Sequence, residues 1–138
     1  MSVFRFLVCL PLATMTLLSA AAECGDKLQQ KGKQMLLNEG YAVAFVPSVW
    51  PITVGKHFSL SIQICSPTGK TTPSTVQVNA DMPIHKHGMN YRPTVIDLGG
   101  GSYRADGLMF HMPGKWRFLI ELGNESQNIQ LHRELDVL

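Results

Sequence analysis

From about residue 41 onwards, apolar and polar residues alternate along the chain with a period of two. The alternation is clear around Phe58, Leu60 and Ile62, each of which has polar neighbours. Such alternation is typical of half-buried antiparallel strands. It predicts an all-β fold, an immunoglobulin-like antiparallel β-sandwich of about seven strands. The predicted strands are residues 41–47, 57–65, 75–82, 94–98, 102–105, 115–122 and 127–136.

One segment ahead of these strands has a different period. Leu28, Met35 and Leu36 share one face of a helix drawn over residues 26–38, and Gly40 is suited to end that helix. The pattern therefore predicts a short N-terminal helix before the first strand.

The N-terminus has the form of a secretory signal peptide. An apolar run follows Arg5, which is the only charged residue before Glu23, and three alanines precede Glu23 as a cleavage site. We expect residues 1–22 to be removed and residues 23–138 to form one exported domain, periplasmic or secreted. We expect no stable membrane insertion after cleavage; an uncleaved anchor is the alternative.

The charge balance limits the kinds of binding partner that the sequence leads us to expect. The chain has 12 Lys and Arg against 10 Asp and Glu, and the basic residues are scattered along it. A surface close to neutral gives no reason to expect binding to nucleic acid or to an anionic membrane.

The cysteines fit an exported protein. Cys9 leaves with the signal peptide, so that Cys24 and Cys65 remain. Two cysteines in an oxidising compartment most simply form one disulfide. Two free thiols that bind a metal are the alternative.

Two short segments combine histidine with methionine. Residues 82–89 and 109–114 together hold three of the five histidines and four of the seven methionines. Imidazole with thioether suits copper, because thioether sulfur is soft and favours Cu(I); imidazole alone also accepts Cu(II) or zinc. The candidate metal ligands are His85, His87, Met89, Met109, His111 and Met112.

The expected topology brings these segments together. In an immunoglobulin-like sandwich, the strands at 75–82 and 115–122 are adjacent and antiparallel. Residues that follow the first strand then lie at the same end as residues that precede the second. We expect the two segments to meet there, with Cys65 at the opposite end. His57 and His132 fall inside strands and are expected to be structural or solvated.

The chain resembles the YtkA-like domain, which is related to the FixH family, over roughly residues 40–138. The resemblance rests on Gly-Tyr-Ala-Val from residue 40, on Met-Pro and His-Gly-Met in 82–89, and on Gly-Ser-Tyr from 101 leading into Phe-His-Met-Pro-Gly-Lys-Trp from 110. It implies an immunoglobulin-like sandwich outside the cytoplasm. It also implies copper handling and respiratory-oxidase assembly, with a membrane or periplasmic metalloprotein as the partner.

Two other functions are compatible with the same residues. Methionine is a common core filler, so the chain could be an immunoglobulin-like interaction module of the cell envelope without a metal. A zinc site of the three clustered histidines would need an orienting carboxylate, for which Asp81 and Asp106 are candidates. We expect a non-catalytic copper-binding protein, a carrier or an assembly factor.

The signal peptide and the disulfide can be tested together by intact mass spectrometry of the exported protein. We expect the mass of a chain that begins near Glu23 and has no alkylatable thiol. A mass that retains residues 1–22, or two alkylated cysteines, would contradict the prediction.

Overall fold

A computed structural model describes residues 23–66, 72–124 and 127–138; the predicted signal peptide, residues 1–22, lies outside the described residues. The described chain is all-β, and none of its segments is a helix long and apolar enough to cross a membrane. Its nine strands are β1 (Gln34–Asn38), β2 (Tyr41–Pro47), β3 (His57–Cys65), β4 (Thr75–Met82), β5 (His87–Gly88), β6 (Thr94–Gly99), β7 (Ser102–Met109), β8 (Gly114–Gly123) and β9 (Asn128–Val137).

The strands form two antiparallel sheets. One sheet has the order β1-β2-β3-β7-β6 and the other has the order β5-β4-β8-β9. Strands β2-β3-β7-β6 and β4-β8-β9 correspond to the A-B-E-D and C-F-G sheets of a constant-type immunoglobulin domain. The predicted β-sandwich is therefore confirmed, with β1 and β5 as two strands that the sequence pattern did not reveal.

The core lies between the sheets and is rich in aromatic rings. Phe45 on β2 meets Phe118 on β8 with ring centroids 5.2 Å apart, so this contact joins the two sheets directly. Phe58 packs edge-to-face on Phe110 at 5.3 Å, and Phe110 stacks on Trp116 at 4.4 Å. Aromatic pairs in these arrangements stabilise a core beyond the area they bury. The ring cluster therefore extends from the centre of the sandwich to the end where β8 begins.

The predicted N-terminal helix is wrong. Residues 34–38 form β1, which pairs with β2 in the register Asn38↔Tyr41. The two residues between them, Glu39 and Gly40, have φ angles of 48° and 84°. Positive φ at both central positions defines a type I′ turn, whose twist matches that of a β-hairpin. Gly40 therefore turns the chain between two strands, and pairing with β2 overrides the helical pattern.

The disulfide fastens the N-terminal segment over β2. Every residue of β2 is buried, including the small Ala42 and Ala44 that alternate with the core residues. Cys24 is bonded to Cys65 at the end of β3, as predicted, and it also lies against the backbone of Ala42. The small side chains let this segment cover the outer face of the sheet. A disulfide fits an oxidising environment.

Removing the disulfide should weaken the fold substantially. The cysteines are 41 residues apart, and the loop-entropy relation for a loop of that length gives about 4 kcal/mol. We expect a Cys24→Ser/Cys65→Ser variant to lose about that much unfolding free energy in urea denaturation. Reductant should destabilise the wild type by the same amount and leave the variant unchanged. Equal stability of the two proteins would contradict the prediction.

Candidate metal centre

The first His/Met segment is a tight hairpin between β4 and β5. After Met82 the chain turns back through residues 83–86, and Lys86 takes a positive φ of 55° to complete the turn. The Met82 carbonyl accepts hydrogen bonds from the backbone N–H groups of His85 (3.1 Å) and Lys86 (2.9 Å). His87 then lies opposite Met82 in the register. The sheet therefore fixes the backbone of His87, while His85 is carried on the exposed turn.

The second segment, residues 110–113, crosses from β7 to β8. It is held by Trp116, whose indole Nε1 donates a hydrogen bond of 3.0 Å to the Met112 carbonyl. Gly114 has a φ of 125°, and a Cβ added there would lie 2.9 Å from the Met82 Cε. The absence of a side chain at Gly114 lets the two segments approach each other closely.

The predicted meeting of the two segments is confirmed for the histidines. The ring centroids of His85 and His87 are 5.9 Å apart, and those of His87 and His111 are 5.1 Å apart. Both His87 and His111 rest edge-on against the indole of Trp116, at 6.0 Å and 5.4 Å. The three imidazoles thus form a row with His87 at its centre, and Cys65 lies at the other end of β3 from this row.

The spacing of the row is compatible with a shared ion. With metal–nitrogen bonds of about 2.0–2.1 Å, two imidazoles on one ion have ring centres roughly 4.5–6.4 Å apart, depending on the bond angle. Both pairs in the row lie in this range. The described residues nevertheless contain no group of three or more His, Cys, Asp or Glu side chains that could hold an ion as they stand. A complete site would therefore need thioether donors or rotation of the side chains.

One nitrogen of the row lacks a hydrogen-bond partner. Nδ1 of His111 is buried, and among the described residues it is the one buried side-chain polar atom without a hydrogen-bond partner. Leaving such an atom unsatisfied costs about 1–3 kcal/mol. Nδ1 of His87 lies 3.3 Å from the Gly88 carbonyl, which favours a proton on Nδ1 and a free lone pair on Nε2. A bound cation would give the His111 nitrogen the partner that the protein does not supply.

Two of the predicted methionines belong to this end of the sandwich. Met112 follows His111 directly, and Met89 shares one side of the extended chain with His87 two residues earlier. Both side chains are half-buried and pack against the edge of the core. The fully buried Met82 beneath Gly114 is core filler. Met89 and Met112 therefore lie within two residues of His87 and His111 and have side chains that reach the core.

Met109 lies elsewhere. The strand predicted at 102–105 continues as β7 to Met109, which is paired in register with His57 on β3. Met109 alternates with the buried Leu108, so its side chain lies on the outer face of the five-stranded sheet. The sequence grouped Met109 with His111, whereas the strand register groups it with His57.

The two candidate carboxylates are already occupied. Asp81 accepts hydrogen bonds from Arg117 Nε and Nη2 at 2.9 and 2.6 Å, and this bonding raises the pKa of Arg117. Asp106 accepts one from Arg104 at 2.9 Å. A carboxylate engaged by a guanidinium is poorly suited to orient a metal-bound water.

Comparisons with known proteins reveal a distant structural relation. No protein family matches the sequence, and no curated protein matches it. Among solved structures, the fold is similar to the crystal structure of a DUF4426 family protein from Pseudomonas aeruginosa PAO1. The TM-score is 0.49 at 12% sequence identity, over 76% of this chain and 95% of that chain. This match names neither a YtkA-like nor a FixH protein, and it assigns no function to the chain.

The row of histidines and the indole beneath it should differ in their effect on folding. We expect His87→Ala to change the unfolding free energy of the metal-free protein by no more than about 0.5 kcal/mol, because it removes a half-buried side chain from the end of the sandwich. Trp116→Ala removes a fully buried ring and should cost about 3–5 kcal/mol. Urea denaturation of both variants measures the difference. A large loss of unfolding free energy in His87→Ala would show that this histidine has a structural role.

Proposed function

We propose that the protein is an exported, non-catalytic copper-binding protein, a carrier or an assembly factor for a metalloprotein. The observation that supports this most directly is the buried, unpartnered Nδ1 of His111 beside the ring of His87. A buried polar atom without a partner is unusual in a folded protein and is expected where a ligand completes the structure. An ion that also binds His87 would remove this cost and join the two segments.

The methionines favour copper over zinc. Thioether sulfur adds affinity chiefly for Cu(I), and Met89 and Met112, each within two residues of a histidine of the row, pack against the core. The engagement of Asp81 and Asp106 by arginines supports binding without catalysis. Imidazole must be neutral to bind a metal, so copper affinity should fall on acidification.

Two further features support export and copper handling. The signal-like N-terminus and the Cys24–Cys65 disulfide both suit an oxidising compartment outside the cytoplasm. The resemblance to YtkA-like domains and the FixH family associates this sandwich with the assembly of respiratory oxidases. A membrane or periplasmic metalloprotein is then the recipient of the copper ion.

A second candidate function is an immunoglobulin-like interaction module without a metal. It is favoured by Ile84, which is 77% exposed at the tip of the β4–β5 turn. An apolar side chain there could contact a protein partner whether or not copper binds. Because a module of this kind would have no metal site, copper binding itself distinguishes the two functions.

Competition titration of Cu(I) on the purified domain tests the proposal. We expect His111→Leu to weaken Cu(I) binding by more than 10-fold, since loss of even an outer partner of a ligand costs about 10–100-fold. The metal-free variant should be at least as stable as the wild type, because leucine removes the unsatisfied nitrogen. Met112→Leu or Met89→Leu should weaken Cu(I) and leave zinc binding nearly unchanged.

His132→Ala is the matched control, because His132 is exposed on β9 and contributes an imidazole outside the row. It should bind Cu(I) like the wild type. Unchanged Cu(I) affinity in His111→Leu and in both methionine variants would reject the copper function and favour the interaction module.

A further inference from the structure

A second imidazole–thioether pair lies on the outer face of the five-stranded sheet. His57 on β3 and Met109 on β7 are direct cross-strand partners. The next pair along the same strands, Phe58 and Leu108, is buried, so His57 and Met109 both point away from the core. Side chains directly opposite each other in an antiparallel pair have Cβ atoms about 4.5–5.5 Å apart. One ion can therefore be reached by both side chains.

The surroundings of this pair link it to the histidine row. The ring of His57 contacts the ring of Tyr91 edge-on at 5.3 Å, and Tyr91 is 45% exposed. Tyr91 comes two residues after Met89, on the chain that leaves β5. Met109 precedes His111 by two residues, which is about 6.6 Å along an extended chain. Met109 is thus two residues from His111 along the chain, and His57 contacts the segment that follows Met89.

We propose that His57 and Met109 form a second soft-metal subsite, an outer binding position for Cu(I) beside the row of His85, His87 and His111. The identity of the metal rests on the proposed copper function. An imidazole and a thioether are the donor types that favour Cu(I) among the biological cations. Two donors on an exposed face bind an ion more weakly than a partly buried site with more donors. The outer subsite therefore receives or releases the ion, and the inner row retains it.

Stoichiometry and methionine NMR test the subsite on the mature protein. The wild type should bind a tight equivalent and a weaker equivalent of Cu(I) when titrated in a weak competing chelator. Met109→Leu and His57→Phe should each abolish the weaker equivalent, while the affinity of the tight one stays within about twofold of the wild type. Phenylalanine at position 57 preserves the edge contact with Tyr91. His111→Leu should instead lose the tight equivalent and keep the weaker one.

Methyl-labelled methionine gives a readout that a packing role would not produce. With Ag(I) as an oxidation-resistant substitute for Cu(I), the Met109 methyl signal should shift only as the second equivalent is added. The methyl of Met35 on β1, at the opposite edge of the same sheet, is the internal control and should not move. A Met109 shift complete at the first equivalent would make it a ligand of the inner site and overturn the inference. A single equivalent in the wild type would also overturn it while the copper function stands; no binding at all would reject both.

Discussion

The packing of Trp116 is the interaction on which the rest of this structure depends. Its indole is fully buried, stacks on Phe110 at 4.4 Å, and donates a hydrogen bond to the Met112 carbonyl. The edges of His87 and His111 rest against the same ring. Trp116 thus closes the core and forms the floor of the histidine row. Because its ring is fully buried, His87 and His111 rest on a rigid part of the core.

The pairing of β4 with β8 positions Trp116 beneath the histidine row. These strands are hydrogen-bonded from Thr75↔Gly123 to Asp81↔Arg117, and the last pair is reinforced by a bidentate ion pair. The hairpin after β4 and the crossing before β8 therefore begin from a fixed frame. Ligands held on strands keep their geometry better than ligands held on loops. His87 on β5 benefits from this directly, whereas His111 lies on the crossing segment, which the hydrogen bond from Trp116 to Met112 holds, and His85 lies on the turn.

The candidate metal donors at this end of the sandwich differ in how deeply they are buried. The row is partly buried against Trp116 and includes a nitrogen without a partner, while His57 and Met109 lie on the open face of the neighbouring sheet. The disulfide is at the opposite end, where Cys65 ends β3. The proposed copper site and the disulfide therefore lie at opposite ends of the sandwich.

Alternation of apolar residues was sufficient to predict the sandwich, because a strand with one buried face must place every second residue inward. It also predicted that the segments around His87 and His111 meet, since topology alone sets which strand ends are neighbours. The helix predicted around Leu36 is wrong because one buried residue is compatible with either a helical or a strand period. The Glu39–Gly40 turn and the pairing with β2 make this segment a strand. The grouping of Met109 with His57 and the unpartnered nitrogen of His111 came only from the folded chain. Register and burial are long-range properties that no local spacing of residues contains.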